Sequence, residues 1–276
     1  MSGRLDIVAT PIGNLSDAAP RLQETLRAAD VVLAEDTRHS GRLLHQFGIK
    51  KPLFALHDHN EAEQVPRLIE RLLSGERLAL VSDAGTPTLS DPGFRLVRAA
   101  HAAGVRVSPV PGPCAIITAL SVAGLATDRF IFEGFLPNKQ AARRQRLHAI
   151  AANDCTSVIF EAVHRIEAML ADAVDILGEQ RMACIARELT KRHEQIVRAP
   201  LQALQHAVAN GDITAKGEFV VIFDGARGQA DQTDALAWLA AMLAVGVPLK
   251  QAAKVVAERT GVARNVLYEA GLGMRT

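Results

Sequence analysis

Short apolar runs alternate along most of this chain with stretches of helical periodicity, and each run is closed by a turn rich in Gly, Pro, Asp or Ser. The strand candidates are Leu5–Ala9, Val31–Glu35, Leu78–Ser82, Val105–Val110, Ser157–Glu161, Met182–Arg187 and Glu218–Phe223. Between them, Glu61–Leu73 places Val65, Leu68, Ile69 and Leu72 on one helical face, and Ile166–Leu177 does the same with Ile166, Leu170, Val174 and Leu177. Such alternation predicts an α/β protein with mainly parallel sheets. A parallel sheet gathers its strand-to-helix turns along one edge, where ligands bind. The functional search therefore begins in those turns.

At 276 residues the chain is long enough for one or two domains of about 150 residues. The segment FEGFLPNKQ turns from apolar to strongly polar around Gly134 and Pro137, which predicts a boundary near Phe135–Gln140. A second segment, Gly225–Thr233, reads as a flexible linker. The expected division is a first α/β domain over 1–136, a second over 137–226, and an Ala-rich helical module over 234–276.

Thirty-one basic against thirty acidic side chains give a net charge of +1, which excludes a uniformly basic nucleic-acid coat. Aromatics make up 4% of the chain, with one Trp and one Tyr, so stacking is not its main route to bases. Three widely spaced cysteines without a CxxC argue against a disulfide framework or a sulfur-ligated zinc site. The uncharged run Val107–Thr127 opens with three prolines, leaving only Cys114–Ala126 for a continuous helix, well short of the roughly 20 residues a membrane span needs. The opening MSGRLDIVATPIG has no signal-like apolar stretch before its first turn, so a soluble cytoplasmic protein is expected.

Three turns carry the strongest signals. The first, ATPIGNLSD (9–17), lacks GxGxxG and GxxxxGK[ST], which removes support for dinucleotide and P-loop chemistry. Its bland reading is a helix entry with Asp17 as the cap. The second, SDAGTPTLSDPG (82–93), is held irregular by two Pro and two Gly, so backbone groups are exposed to a ligand. It also reads as a helix entry, with Asp91 as cap and Pro92 at the first helical position. The third, PVPGPC (109–114), is stiffened by prolines and followed by small residues.

Polar clusters lie at other strand ends. Glu35-Asp36-Thr37-Arg38-His39 suits acid–base or phosphate-binding work, or a local Arg38–Asp36 pair with a helix cap. The group His57-Asp58-His59-Asn60-Glu61 has metal-like composition but no remote third ligand, and reads better as a polar turn before a helix. His164 and Arg165 fall at a helix start, Glu188–Glu194 follows a strand, and Lys216-Gly217 precedes one. The run Lys139–His148 holds Lys139, Arg143, Arg144 and Arg146 without an acid, a local excess that suggests a polyanion contact.

In that order these segments resemble the tetrapyrrole-methylase-type (class III) S-adenosylmethionine-dependent methyltransferases, and more narrowly their small-subunit ribosomal RNA branch. The resemblance is carried by VATPIGNLSD, AEDTRHSGRLL, HDHNE, LVSDAGTPTLSDPGFRLV, PVPGPCAIITALSVAGLATDRFIFEGFLP, FEAVHR, ARELTKRHE and KGEFVVI, with the tail LKQAAKVVAERTGVARNVLYEAGL. Thr88 stands where Gly is common in the family, and Val163 where Pro is common. The resemblance implies two α/β domains with a cofactor cleft between them, a helical tail and a homodimer. The implied reaction is 2′-O-methylation of a cytidine ribose, cytidine 1402, in 16S rRNA.

Cofactor contacts carried over from the family are Pro11, Ile12, Asp83, Gly85, Thr86, Pro87, Cys114, Ala115, Phe160, Glu161, Ala162, Lys216 and Gly217. Transfer from a sulfonium is an in-line displacement that needs no metal, and positioning supplies most of the catalysis. A ribose hydroxyl is a weak nucleophile, so a general base is expected from Asp36, Glu161 or Glu188. Arg38, Arg165 and Lys191 would hold RNA phosphates, beside the Lys139, Arg143 and Arg144 run. Two other readings stand against this one. The first is a porphyrinoid methyltransferase of the same superfamily, and the second is a ribosome-assembly binding factor without catalysis.

Overall fold

The computed structural model describes residues 3–226, 232–260 and 262–274; the stretch 227–231, part of the segment read as a linker, lies outside them. Two compact units form. One holds the chain to Ala123 together with Ala186–Ile196 and Gly217–Val220, and the other holds Gly124–Ile185, Val197–Lys216 and the chain from Val221.

The first unit is built on β1 (Arg4–Val8), β2 (Val31–Ala34), β3 (Leu53–Ala55), β4 (Arg77–Val81) and β5 (Arg106–Val110), in the order β3-β2-β4-β1-β5. All four pairings are parallel. Helices α1 (Pro20–Ala28), α2 (Thr37–Gln46), α3 (Glu61–Leu73), α4 (Phe94–Ala102) and α5 (Ala115–Ala123) connect or follow these strands. From β1 the chain steps one way across the sheet to β2 and β3, then back to β4 and β5. Right-handed crossovers must then put α1 and α2 on one face and α3 and α4 on the other.

The packing agrees. Leu22, Leu26 and Leu44 cluster with Val8, Val32, Ala34, Ala79, Val81 and Val110. Leu68, Leu72, Leu96 and Ala100 cluster with Leu5, Val31, Leu33, Leu78 and Leu80. Covered on both faces, β2 is buried throughout and β4 from its second residue on, which is why both read as continuous apolar runs.

Two helix caps differ from expectation. Asp17 does not cap α1: it ends a 3-10 turn, Leu15–Asp17, capped by Asn14, and α1 begins with Pro20 at its first position. Asp91 and Pro92 do not open α4. That helix starts at Phe94 behind Gly93, whose φ of 122° is open to glycine and whose Cβ would meet Leu80 Cδ2 at 2.4 Å. The cap comes from another helix, where buried Glu61 accepts a hydrogen bond from Leu96 N at 3.1 Å.

The second sheet runs β6-β7-β10-β8-β9, from β6 (Phe130–Phe135), β7 (Thr156–Ala162), β8 (Met182–Arg187), β9 (Gln195–Pro200) and β10 (Glu218–Phe223). Because β6 pairs with β7, this sheet begins upstream of the 136/137 division suggested by composition. The pairing carries an irregularity between Phe132 and Gly134, the latter at φ 66°. Helices α6 (Gln140–Ala151), α7 (Ile166–Leu177) and α8 (Leu201–Ala209) accompany the sheet. The tail forms α9 (Gln232–Ala244), α10 (Leu249–Thr260) and α11 (Arg264–Gly273), with their own core of Leu239, Leu249, Ala252, Val256 and Leu267. Among the described residues no helix is long and apolar enough to cross a membrane.

Candidate active site

Strands β4, β1 and β5 are neighbours and parallel, so the turns after them leave the same edge side by side. They are tied to one another. Thr10 and Gly85 exchange backbone hydrogen bonds of 2.8 and 3.1 Å between the first and second turns. Thr86 Oγ1 donates to Pro113 O at 3.0 Å, joining the second to the third. Gly112 lies so close to Ala9 that an added Cβ would be 3.1 Å from the Ala9 Cβ, and one on Gly85 would be 3.2 Å from Ile12 Cγ2. The glycines are thus needed where one turn's backbone passes another. Pro11, Ile12, Asp83, Gly85, Thr86, Pro87, Cys114 and Ala115 all fall in this cluster of turns.

The same edge is acidic. Asp36 N donates to Asp83 Oδ1 at 3.1 Å, linking the end of β2 to the second turn. Burial, then the charges of Asp83 and Asp58, raise the Glu35 carboxyl above its usual range. Asp91 is pushed up to about 6, first by burial and then by Glu35. Repulsion of this kind marks a place suited to a cationic ligand. At the end of β3, Asn60 receives His57 N at 2.9 Å and donates to Ala55 O at 3.0 Å, so the histidine group is a polar turn. Among the described residues no cluster of His, Cys, Asp and Glu has a metal-binding arrangement.

The three carboxylates expected to supply a base differ sharply. Asp36 caps α2 through Arg38 N at 2.8 Å and also takes the Arg38 guanidinium, and these contacts hold its carboxyl well below the ordinary range. For Glu188, burial alone would raise the carboxyl. Lys191 Nζ and Glu218 N, both 2.9 Å from Oε1, outweigh burial and lower it. Glu161, at the end of β7 in the second unit, is 2% exposed and raised by burial. Its Oε1 accepts Ala162 N at 2.8 Å and lies 3.1 Å from Arg165 Nε, while its buried Oε2 has no partner. Its neighbour Phe160 is wedged edge-on between Phe132 and Phe135, at 4.9 and 5.7 Å between ring centres.

Among the residues expected on RNA, Arg38 and Lys139 are exposed. Arg143 is a correction. It is 6% exposed and donates to Asp172 Oδ2 at 2.8 Å, so it packs α6 onto α7 and has no face for a phosphate. The acids missing from the run itself are supplied elsewhere: Arg144 pairs with Asp172 and Asp175, and Arg146 with Glu133. Arg165 is likewise engaged, with Glu161, Asn138 and Leu136 O. Lys191 lies between Glu188 and Glu218. The spacing of Lys139–His148 could not show this, because the partner acids lie on α7 and β6. Lys216 is exposed, and Gly217 is at φ 89° with a Cβ position 2.4 Å from Glu188 Cδ.

Residues 4–205 match the model of the Tetrapyrrole (Corrin/Porphyrin) Methylases, and residues 229–275 match the RsmI C-terminal HTH domain. In fold the chain is similar to the methyltransferase CobJ (TM-score 0.60, 20% identity, 82% of this chain and 95% of that one). It is also similar to diphthine synthase (TM-score 0.59, 18% identity, 81% and 90%). These likenesses define a tetrapyrrole-methylase fold with an added helical module. Curated relatives are nearer in sequence. Ribosomal RNA small subunit methyltransferase I of Xylella fastidiosa is 54% identical over 96% of this chain and 98% of its own. The protein of the same name from Escherichia coli O157:H7 is 50% identical over 98% and 95%. The chain belongs to the tetrapyrrole methylases and, within them, to the ribosomal RNA small subunit methyltransferase I family.

Proposed function

We propose that this chain transfers a methyl group from S-adenosylmethionine to the 2′-hydroxyl of a cytidine ribose in 16S rRNA of the small ribosomal subunit. The observation that carries the donor is the joined cluster of turns after β4, β1 and β5, flanked by Glu35, Asp83, Asp58 and Asp91. Close-packed Gly and Pro backbone leaves room for a ligand to approach, and an acidic edge suits a donor bearing a sulfonium and an ammonium group. Pro11, Ile12, Asp83, Gly85, Thr86, Pro87, Cys114 and Ala115 would hold it, with Phe160, Glu161, Ala162, Lys216 and Gly217 as the family resemblance assigns. When bound, the donor supplies an activated methyl group; the chain's part is to orient donor and acceptor and to take a proton.

The proton acceptor in this reading is Glu161. A base works best with a pKa near the operating pH, and of the three candidates only Glu161 is shifted upward and keeps a buried oxygen without a partner. Asp36 and Glu188 are held in their charged form by cations and serve as positioning groups. Glu161→Gln should lower kcat by about a hundredfold, with donor affinity unchanged. Normal turnover of that variant removes the assignment. The chemistry itself has a direct test: a 2′-O-methyl blocks alkaline cleavage of the next phosphodiester. Transferred label should therefore survive alkali in a dinucleotide beginning with cytidine, and label in alkali-released mononucleotides refutes 2′-O transfer.

A homodimer is part of the same proposal. Helix α5 has no charged residue, and Ile117 and Val122 on it are about half exposed, beside the edge strand β5. An uncharged exposed face of this kind suits a second copy of the chain. Ile117→Asp should shift the solution mass to a monomer by light scattering, and an unchanged dimer moves the interface elsewhere.

A further inference from the structure

The turn after β8 holds a residue that local stability does not explain. Thr190 sits at φ 63°, in the left-handed region, although it is β-branched; Glu188 in the same turn is at φ 51°. Its Oγ1 is shielded from solvent and has no hydrogen-bond partner. Either feature alone is unfavourable, and together they mark a residue that folding would not select. The surroundings hold it firmly. Thr190 N donates to Glu194 Oε2 at 2.7 Å, Lys191 N to Glu188 O at 3.0 Å, and Arg187 to His193 O at 2.9 Å. Strain that is over-determined in this way is a sign of a functional position.

Its location gives the function. A Cβ on Gly13 would lie 2.9 Å from Thr190 Oγ1 and 2.4 Å from Lys191 Cγ, so this turn rests on the first turn at its glycine. The other part of the first turn, Thr10 and Ile12, is taken up by Gly85. Thr190 therefore lies on the flank of the first turn away from the second. It stands beside the ammonium of Lys191, which suits an anionic backbone better than a cationic donor.

We infer that the Thr190 hydroxyl is a substrate contact, hydrogen-bonding an oxygen of the acceptor RNA's sugar–phosphate backbone. The inference rests on the RNA reading above. A single hydrogen bond of this kind to a charged group corresponds to a loss of about tenfold or more when removed.

Thr190→Val keeps the β-branch and the backbone strain and deletes only the hydroxyl. The variant should lower kcat/KM for small-subunit RNA about tenfold, leave S-adenosylmethionine affinity unchanged, and melt no lower than wild type. Thr190→Ser should restore kcat/KM to within a few-fold. Wild-type kcat/KM in the valine variant overturns the proposal. So does a valine variant whose activity and melting temperature fall together, which would show a structural role. A wild-type protein that transfers nothing to small-subunit RNA refutes the RNA reading itself, and with it the ligand assigned to Thr190.

Discussion

Replacing Asp172 by Ala should remove a large part of the second unit's stability, although no atom of a proposed site is touched. Asp172 and Arg143 are 3% and 6% exposed. The carboxylate accepts Arg143 Nε at 2.8 Å, Gln140 Nε2 at 3.0 Å and Arg144 Nη1 at 3.1 Å. Deleting it strands a guanidinium that cannot lose its proton and has no route to water. Breaking a buried pair in this way costs about 3–5 kcal/mol, against a total domain stability of about 5–15 kcal/mol. Removing both charges is different, and Arg143→Leu with Asp172→Leu should return to within about 1–2 kcal/mol of wild type.

Urea unfolding followed by far-UV circular dichroism reads the difference; the single Trp238 is exposed on α9 and is a poor reporter of the α6–α7 contact. The pH dependence adds a check. Burial alone would raise Asp172, but its contacts with Gln140, Arg143 and Arg144 prevail and lower it. The stabilisation is therefore present above the ordinary carboxylate pKa of 3.8 and is lost as pH falls through the lower folded value. The gap between wild type and Asp172→Ala should shrink in acid. A loss under about 1 kcal/mol at pH 7, or a double variant as weak as the single, would refute the reasoning.

Three other outcomes follow from the first unit. Thr88→Gly should stabilise by about 0.5–1 kcal/mol, because Thr88 holds φ 73° and the left-handed penalty exceeds the entropy glycine adds to the unfolded chain. A calorimetric melting temperature that falls would contradict this. Asp91→Asn should raise stability at pH 7 and leave it unchanged near pH 3: the wild-type carboxyl, shifted from 3.8 to about 6, favours the unfolded chain as pH rises through that interval. Equal effects at both pH values would rule that out. Glu61→Gln should weaken the α4 cap at Leu96 N by about 1 kcal/mol, read as earlier amide exchange in Phe94–Ala102. Unchanged exchange would show that the cap is dispensable.

The strands that were legible in sequence are the covered ones. Val31–Ala34 and Leu78–Val81 are buried on both faces, so they read as unbroken apolar runs. The strands that escaped, Leu53–Ala55, Phe130–Phe135 and Gln195–Pro200, include sheet edges and are half exposed, with mixed composition. Turn positions were visible through their Pro and Gly, but cap identities were not: the α4 cap, Glu61, lies 35 residues from the amide it serves. The same blindness to distance made Arg143 look like an RNA contact, because nothing near it in sequence announces Asp172. Thr190 was unreadable for another reason. A strained φ and a hydroxyl without a partner exist only once the chain is folded.

The central claim, methyl transfer to small-subunit RNA, is tested most directly by offering labelled S-adenosylmethionine together with two acceptors, small ribosomal subunits lacking the modification and a porphyrinoid. The account predicts label in the RNA, recovered on nucleoside digestion as 2′-O-methylcytidine, and none in the porphyrinoid. Label in the porphyrinoid alone, or donor binding with no transfer to either, would contradict it.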